Sequence, residues 1–489
     1  MTGDLMKKVF SLIGVASFLL LAGCQEDKIP ITTSSEIARD YLIKGRSLSD
    51  RLRYQEAIEN FKLALKHDPD FTLADYHMAM LDATPAGRLA YFDKAKKDMK
   101  NASWGEQQLV LAMEAGMGGF VKKQIEVMEG LIDKYPDDER ARNLLGNIYF
   151  AQQDYEKAIG IYKEVIGINP EYSQAYNQLG YCYRYIGDYV RAEQAFQKYI
   201  QLIPDDPNPY DSYAELLLKM GEYEVSIENY EKALKINPDF TNSYMGLASN
   251  YNIKRDYKIA RKYLKEFYVR AKTEDQKRLA LSAMIVSFVD QGDLEGAMKI
   301  LNKRSEESLA ENDTVLIAGD YNLRGYLYRA QKKPKEAMQS FNQARELIEQ
   351  SQLPENIKNN FRRGYPYNEA LIALMEHDPE RAEAKLAEYR VEVEKVESAY
   401  LLRTVHELAG QIALEKGEYQ KAIEELKQAN QQNAMNLYRI AEAYEGLNDL
   451  KNALSYYQQA ANFNALLDLE FALIRTDAEK KAAELKARI

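Results

Sequence analysis

Chemistry requires polar groups at defined spacing, and this chain of 489 residues offers few candidates: four histidines, two cysteines, one glycine cluster and 36 tyrosines. His67, His77, His377 and His406 fall in separate stretches. The run His406-Glu407-Leu408-Ala409-Gly410 begins like a zinc-protease helix, but Gly410 stands where the second histidine is needed one turn later. Gly116-Met117-Gly118-Gly119 has no strand before it, and Val121 takes the third glycine place of a dinucleotide loop, so the cluster reads as a turn between helices. Cys182 lies between Tyr181 and Tyr183 inside a helical stretch, where packing is the simpler role. No group of residues supplies a nucleophile, an oriented base and a stabiliser of developing charge together. Hence neither an enzyme, a cofactor, a metal nor a small-molecule substrate is expected.

What would position such residues is a repeating element. Leu145-Gly146 recurs as Leu179-Gly180, 34 residues on, with Tyr149 and Tyr183 three places after each glycine. Ala158, Ala192, Ser226 and Ala260 continue the same period, and Pro170, Pro204 and Pro238 close three of the units. A small residue in each of two helices lets the pair approach closely, and the late proline stops the second helix. This pattern resembles the tetratricopeptide repeat, which implies a right-handed, all-α solenoid. One unit cannot bury its own apolar face, so neighbours must stack.

Upstream, Gly45, Ala57, Phe61, Ala64 and Pro69 fit one further unit, and Ala112, Met128, Leu131 and Pro136 another. Downstream the phase drifts through Gly292, Ala297, Gly325, Ala337, Phe341 and Ala382, then recovers at Gly410, Ala422, Ala441 and Ala453. About twelve helical hairpins result. The expected organisation is a regular solenoid over 36–272, longer degenerate hairpins over 273–466, and a capping helix or tail over 467–489. Residues near 70–270 also look like the repeat extensions of some bacterial protein kinases and transcriptional regulators, although no kinase or winged-helix part accompanies them. The tyrosines at 54, 155, 189, 223, 257 and 419 share one repeat slot, which marks them mainly as core.

At the amino end Lys7 and Lys8 precede the apolar stretch Val9–Ala22, too short for the ~20 residues of a membrane-spanning helix. It ends Leu20-Leu21-Ala22-Gly23-Cys24, which resembles the lipobox of bacterial lipoproteins. That resemblance implies a signal peptide over 1–23 and acyl chains, palmitate among them, on Cys24. Gln25 in place of an aspartate then implies the outer membrane, facing the periplasm. Residues 24–35 are polar and read as a linker, whose 11 residues after Cys24 span at most ~35–40 Å.

In the tetratricopeptide family the second, fifth, ninth, twelfth and thirteenth positions of each first helix line a concave groove. Carried over to the regular repeats, the resemblance nominates Asn143, Asn147, Phe150, Asn177, Tyr181, Arg184, Tyr185, Asp211, Glu215, Asn242 and Asn252. Asparagine pairs with any peptide main chain, and tyrosine adds apolar area with a polar tip, so an extended segment would suit the groove. The clamp for acidic chain ends found in some relatives is not reproduced: its slots hold Asn143, Asn147, Gln178, Asn208 and Ser212, and only Asn147 matches. A formal charge of −10 without a basic stripe argues against nucleic acid. The expected function is a lipid-anchored scaffold that binds envelope proteins; the alternative is a pilotin-like assembly lipoprotein for a secretion or pilus machine.

Overall fold

A computed structural model describes residues 28–51, 53–82, 84–396 and 398–489. The signal-peptide stretch, Cys24 and the first part of the linker lie outside the described residues. Consecutive helices pair into antiparallel hairpins, from Glu36–Ser49 with Tyr54–His67 through to Ala434–Gly446 with Leu450–Ala461. Among the described residues there is no strand, and no helix is long and apolar enough to cross a membrane. The all-α solenoid of about twelve hairpins expected above is what forms.

Each hairpin turns in the same way. One residue in the left-handed region, such as Gln153, Gly187, Gly221, Arg255, Gly292 or Gly417, reverses the chain after the first helix. Glycine holds only some of these positions, so the hairpin's stacking with its neighbours carries the strain where it is absent. At Asp154, Asp188, Asp256, Asp293 and Asp449 the side chain then accepts the backbone N–H three residues on, capping the second helix. The run Gly116–Gly119 is one of these turns, as its reading as a hairpin turn required: Gly118 caps Trp104–Met117, and Gly119 has φ of +77°.

The small residue of the first helix is held at its size by the ring opposite. A Cβ on Gly45, Gly146, Gly180 or Gly325 would lie about 2.4–2.6 Å from an atom of Phe61, Tyr162, Phe196 or Phe341 respectively. The alanine slot of the second helix is closed as tightly: Ala57, Ala158, Ala192, Ala260, Ala337 and Ala453 have no exposure. Ser226 occupies this slot and satisfies its hydroxyl on the carbonyl of Ala214 at 2.8 Å.

In the four helices from Glu274 to Gln350 the length rises from 12–14 to 17–18 residues, about one extra turn each. These long helices bury charge between neighbouring hairpins: Asp320 pairs with Arg278 at 3.3 Å and with Arg304, and accepts a hydrogen bond from Ser308.

Residues 28–35, read above as part of a polar linker, are strung across the amino ends of two first helices. Asp138 uses one oxygen to cap Ala141 and offers the other to the Ile29 N–H at 3.0 Å. Glu106 accepts from the Thr32 N–H at 2.9 Å, and Lys28 pairs with Glu139 at 2.8 Å. Capping carboxylates have lone pairs to spare, and the preceding chain occupies them.

The solenoid completes more than one superhelical turn, and successive turns touch along a seam. The Gln152 side chain meets Ser398 at 2.8 Å, Gln432 donates to the Tyr185 carbonyl at 2.9 Å, Lys219 to the Phe463 carbonyl at 2.5 Å, and Tyr223 to Asn464 at 3.0 Å. These partners are between 241 and 247 residues apart, about seven repeats of 34. The carboxy-terminal segment is a helix, Leu469–Arg488, with Phe471, Ile474, Ala478 and Leu485 buried along one face. It docks on the middle of the solenoid, where Arg475 makes a two-pronged pair with Asp290 at 2.6 and 3.0 Å.

Candidate partner-binding surface

Most of the nominated groove residues bond to one another or to their own and adjacent hairpins. Asn143, Asn177, Arg184, Asp211 and Asn252 are buried. Arg184 pairs with Glu215 at 2.9 Å, and Tyr181 donates to the other Glu215 oxygen at 2.9 Å. Asn143 donates to Gln174, Asn147 accepts from Tyr162, and Asn252 accepts from Ser287 at 2.9 Å. Tyr155 stacks on Tyr185 with centroids 5.0 Å apart, and Phe150 meets both edge-on at 5.6 and 5.7 Å. Asn242 alone of the set is exposed, at the start of its helix. The seam narrows this part of the inner face to a polar cleft of about 550 Å³ floored by Arg184, Tyr185 and Lys219 and roofed by Gln432, Gln458 and Phe463.

Asp211 shows what this crowding does to a charge. Burial above all, with repulsion from Glu215, pushes its carboxyl up to about 7, although the Ser243 hydroxyl donates to it at 2.7 Å. An unfolded aspartate titrates near about 4. The folded chain therefore binds the extra proton between about pH 4 and 7, and stability falls as pH rises through that window. Asp211→Asn keeps an acceptor for Ser243 and removes the charge. We expect its melting temperature to exceed the parent's by a few degrees at pH 8 and to match it below about pH 4. An equal difference at both pH values in a thermal melt would refute the assignment.

A second inner cleft, of about 540 Å³, lies in the later repeats between Asn322, Tyr326, Tyr367, Asn368, Tyr400 and Glu407, with Asp468 and Glu470 of the carboxy-terminal segment at its edge. Glu407 is held by Tyr367 at 3.3 Å, Asn436 at 3.3 Å and Arg439 at 3.2 Å. Burial raises the Glu470 carboxyl, and the Glu407 charge adds to the effect. Burial also pushes Glu442, one turn beyond Arg439, up to about 7. Tyr400 is 41% exposed and stands free to meet a ligand. The cleft is thus aromatic and amide-rich, with a net acidic edge.

Sequence reasoning missed this cleft, yet its own rule points there. Counting from Gly325 as position eight makes Asn322 the fifth residue and Tyr326 the ninth; from Gly410, Thr404 is the second and Glu407 the fifth. The signal is the same as in the regular repeats, and only the drift away from a 34-residue phase hides it.

The remaining chemical candidates are dispersed. His406 pairs with Glu425 and His377 with Glu415, each at 2.7 Å, while His77 accepts from Arg46 at 2.9 Å. Among the described residues no three potential metal ligands converge. Cys182 is fully buried, and burial pushes its thiol up to about 12, the opposite of what a reactive thiolate needs.

Stacked hairpins with a polar inner wall define a helical-repeat protein whose surface is built to contact other chains. Residues 137–205 match a family model of the tetratricopeptide repeat, and residues 208–240, 321–350 and 436–465 match a second model of the same repeat. The chain is a tetratricopeptide-repeat protein and, as such, a protein-interaction scaffold. No curated protein matches it. Among solved structures it is similar to a thermophilic TPR protein of Thermus thermophilus, at 22% identity over 44% of this chain and 98% of that one, with a TM-score of 0.29. It is also similar to the MamA protein, at 23% identity over 33% of this chain and 88% of that one, TM-score 0.28. The Cut9–Hcn1 hetero-tetramer of the APC/C shares 13% identity over 97% of this chain and 82% of that one, TM-score 0.40.

Proposed function

We propose that the chain is an exported lipoprotein, acylated at Cys24, that holds an extended segment of another envelope protein in its Tyr/Asn-lined inner cleft at the periplasmic face of the outer membrane. The observation that carries this reading is the cleft itself, lined by Asn322, Tyr326, Tyr367 and the half-exposed Tyr400, whereas Asn143, Asn177, Arg184, Asp211 and Asn252 of the earlier repeats are buried against their own chain. Amides there can pair with a main chain of any sequence, while the acidic edge favours a segment bearing lysine or arginine. The docked stretch 28–35 supports a short tether, since only three residues, a reach of about 14 Å at full extension, would separate Cys24 from Lys28.

A photocrosslinking residue placed at Tyr400 in cells should trap a discrete partner in the membrane fraction, whereas one at the outward-facing Val190 should not. Combining Asn322→Ala with a crosslinker at Tyr326 should cut that yield about tenfold, as loss of an interface anchor does. Cys24→Ser should move the trapped complex to the soluble fraction. Undiminished trapping from Val190 would overturn the cleft assignment, and a membrane-bound Cys24→Ser variant would overturn the anchor.

A further inference from the structure

Nearer the amino end the seam leaves a gap that is apolar. Where hairpins of the first turn, Thr72–Leu81 with Pro85–Asp98 and Trp104–Met117, face the start of Thr314–Ala330 and the helix Glu355–Arg363, the walls stand apart around a cavity of about 530 Å³. Leu89, Met113 and Met117 form one wall, and Val315, Ile357 and Phe361 the other. Two seam contacts bracket it: the Ala86 N–H donates to Asp313 at 3.4 Å, and Asn360 donates to the Met117 carbonyl. In the sequence, Leu353 to Tyr367, with Lys358, Arg362, Arg363 and Pro366 between two long hairpins, reads as a plain loop insertion in preference to a contact site. Instead it contains the helix that builds this wall.

We infer that this cavity binds a single alkyl chain carrying an anionic head group, a fatty acid or its close analogue. Its size falls within the ~300–1,000 Å³ of small-ligand sites, which are lined by hydrocarbon with a few placed polar groups. Methionine walls adapt their shape to a flexible chain. The charge at the rim selects the head group. Arg88 lines the cavity and donates to the Asp82 carbonyl at 3.0 Å, but no carboxylate lies within ion-pair reach of it among the described residues. Asp313, the acid on the opposite lip, is already used by the N–H groups of Ala86, Val315 and Leu316. A carboxylate entering head-last would thus meet one unneutralised cation.

The test uses the full mature chain, dansylundecanoate as the fluorescent probe, and palmitate and hexadecanol as competitors. The probe should bind saturably at one site and be displaced by both. Arg88→Gln should weaken palmitate about tenfold and leave hexadecanol unchanged, the loss expected for one charge-assisted contact. Met113→Trp, or Met80→Trp at the more exposed lip should the first variant fold poorly, should abolish probe binding. Absence of saturable binding, or equal binding by a folded tryptophan variant, overturns the site. Equal weakening of palmitate and hexadecanol by Arg88→Gln overturns the head-group assignment.

Discussion

Arg475→Met should cost about 3–5 kcal/mol and free the carboxy-terminal helix, because it leaves a buried carboxylate with no counter-charge. Arg475 is 2% exposed and spends its donors on Asp290 and on the carbonyls of Asn252 and Ile253, at 2.6–3.1 Å. Burial already raises the Asp290 carboxyl while Arg475 opposes the rise, so losing the guanidinium drives that carboxyl higher still. Hydrogen exchange across Leu469–Arg488 should quicken by orders of magnitude, while Ser173–Leu202, remote from the contact, should keep its protection. The double change Arg475→Met with Asp290→Leu should recover most of the loss, since an apolar pair of similar volume needs no desolvation. Unchanged exchange in the single variant would show that Phe471, Ile474 and their neighbours hold the helix without the ion pair.

Phe196→Ala comes next in size, at about 3–5 kcal/mol. The ring is fully buried, edge-on to Tyr181 with centroids 5.3 Å apart, and lies where a Cβ on Gly180 would come within 2.6 Å. Gly180→Ala alone should cost about 1–3 kcal/mol through overpacking. Together they should cost less than their sum, because the added methyl enters the space the ring vacates. Exchange rates read over the two helices of that hairpin, against urea, measure all three variants. Strict additivity would mean that glycine and ring are not the coupled pair the geometry describes.

The hairpins were legible because their signals are local: a glycine, an aromatic sixteen residues on and an alanine between them suffice to place two helices, as at Gly146, Ala158 and Tyr162. Lengthened hairpins blurred the count without changing the contact, since Gly325 still meets Phe341 as Gly45 meets Phe61. Partners several repeats away were not legible. Nothing near Asn177 or Arg184 tells that they will be enclosed, and nothing near Gln432 tells that it will reach Tyr185. Which stretch of a nominated wall stays open depends on how the coil closes on itself. The segment 28–35 illustrates the same limit: its composition is that of a linker, and its partners, Glu106 and Asp138, lie some seventy to 110 residues away.

The near-constant offset along the seam also sets a rule for how this chain can change. A coil whose loops bond to the coil above behaves like a bolt in its nut, where thread spacing is part of the fit. Duplicating or deleting one hairpin between Asp290 and Ser398 would advance the upper thread by a full unit, and Gln432, Phe463 and Arg475 would all confront the wrong mates at once. Open-ended arrays tolerate gain and loss of units wherever they occur; here such changes are confined to places that leave the count per revolution intact.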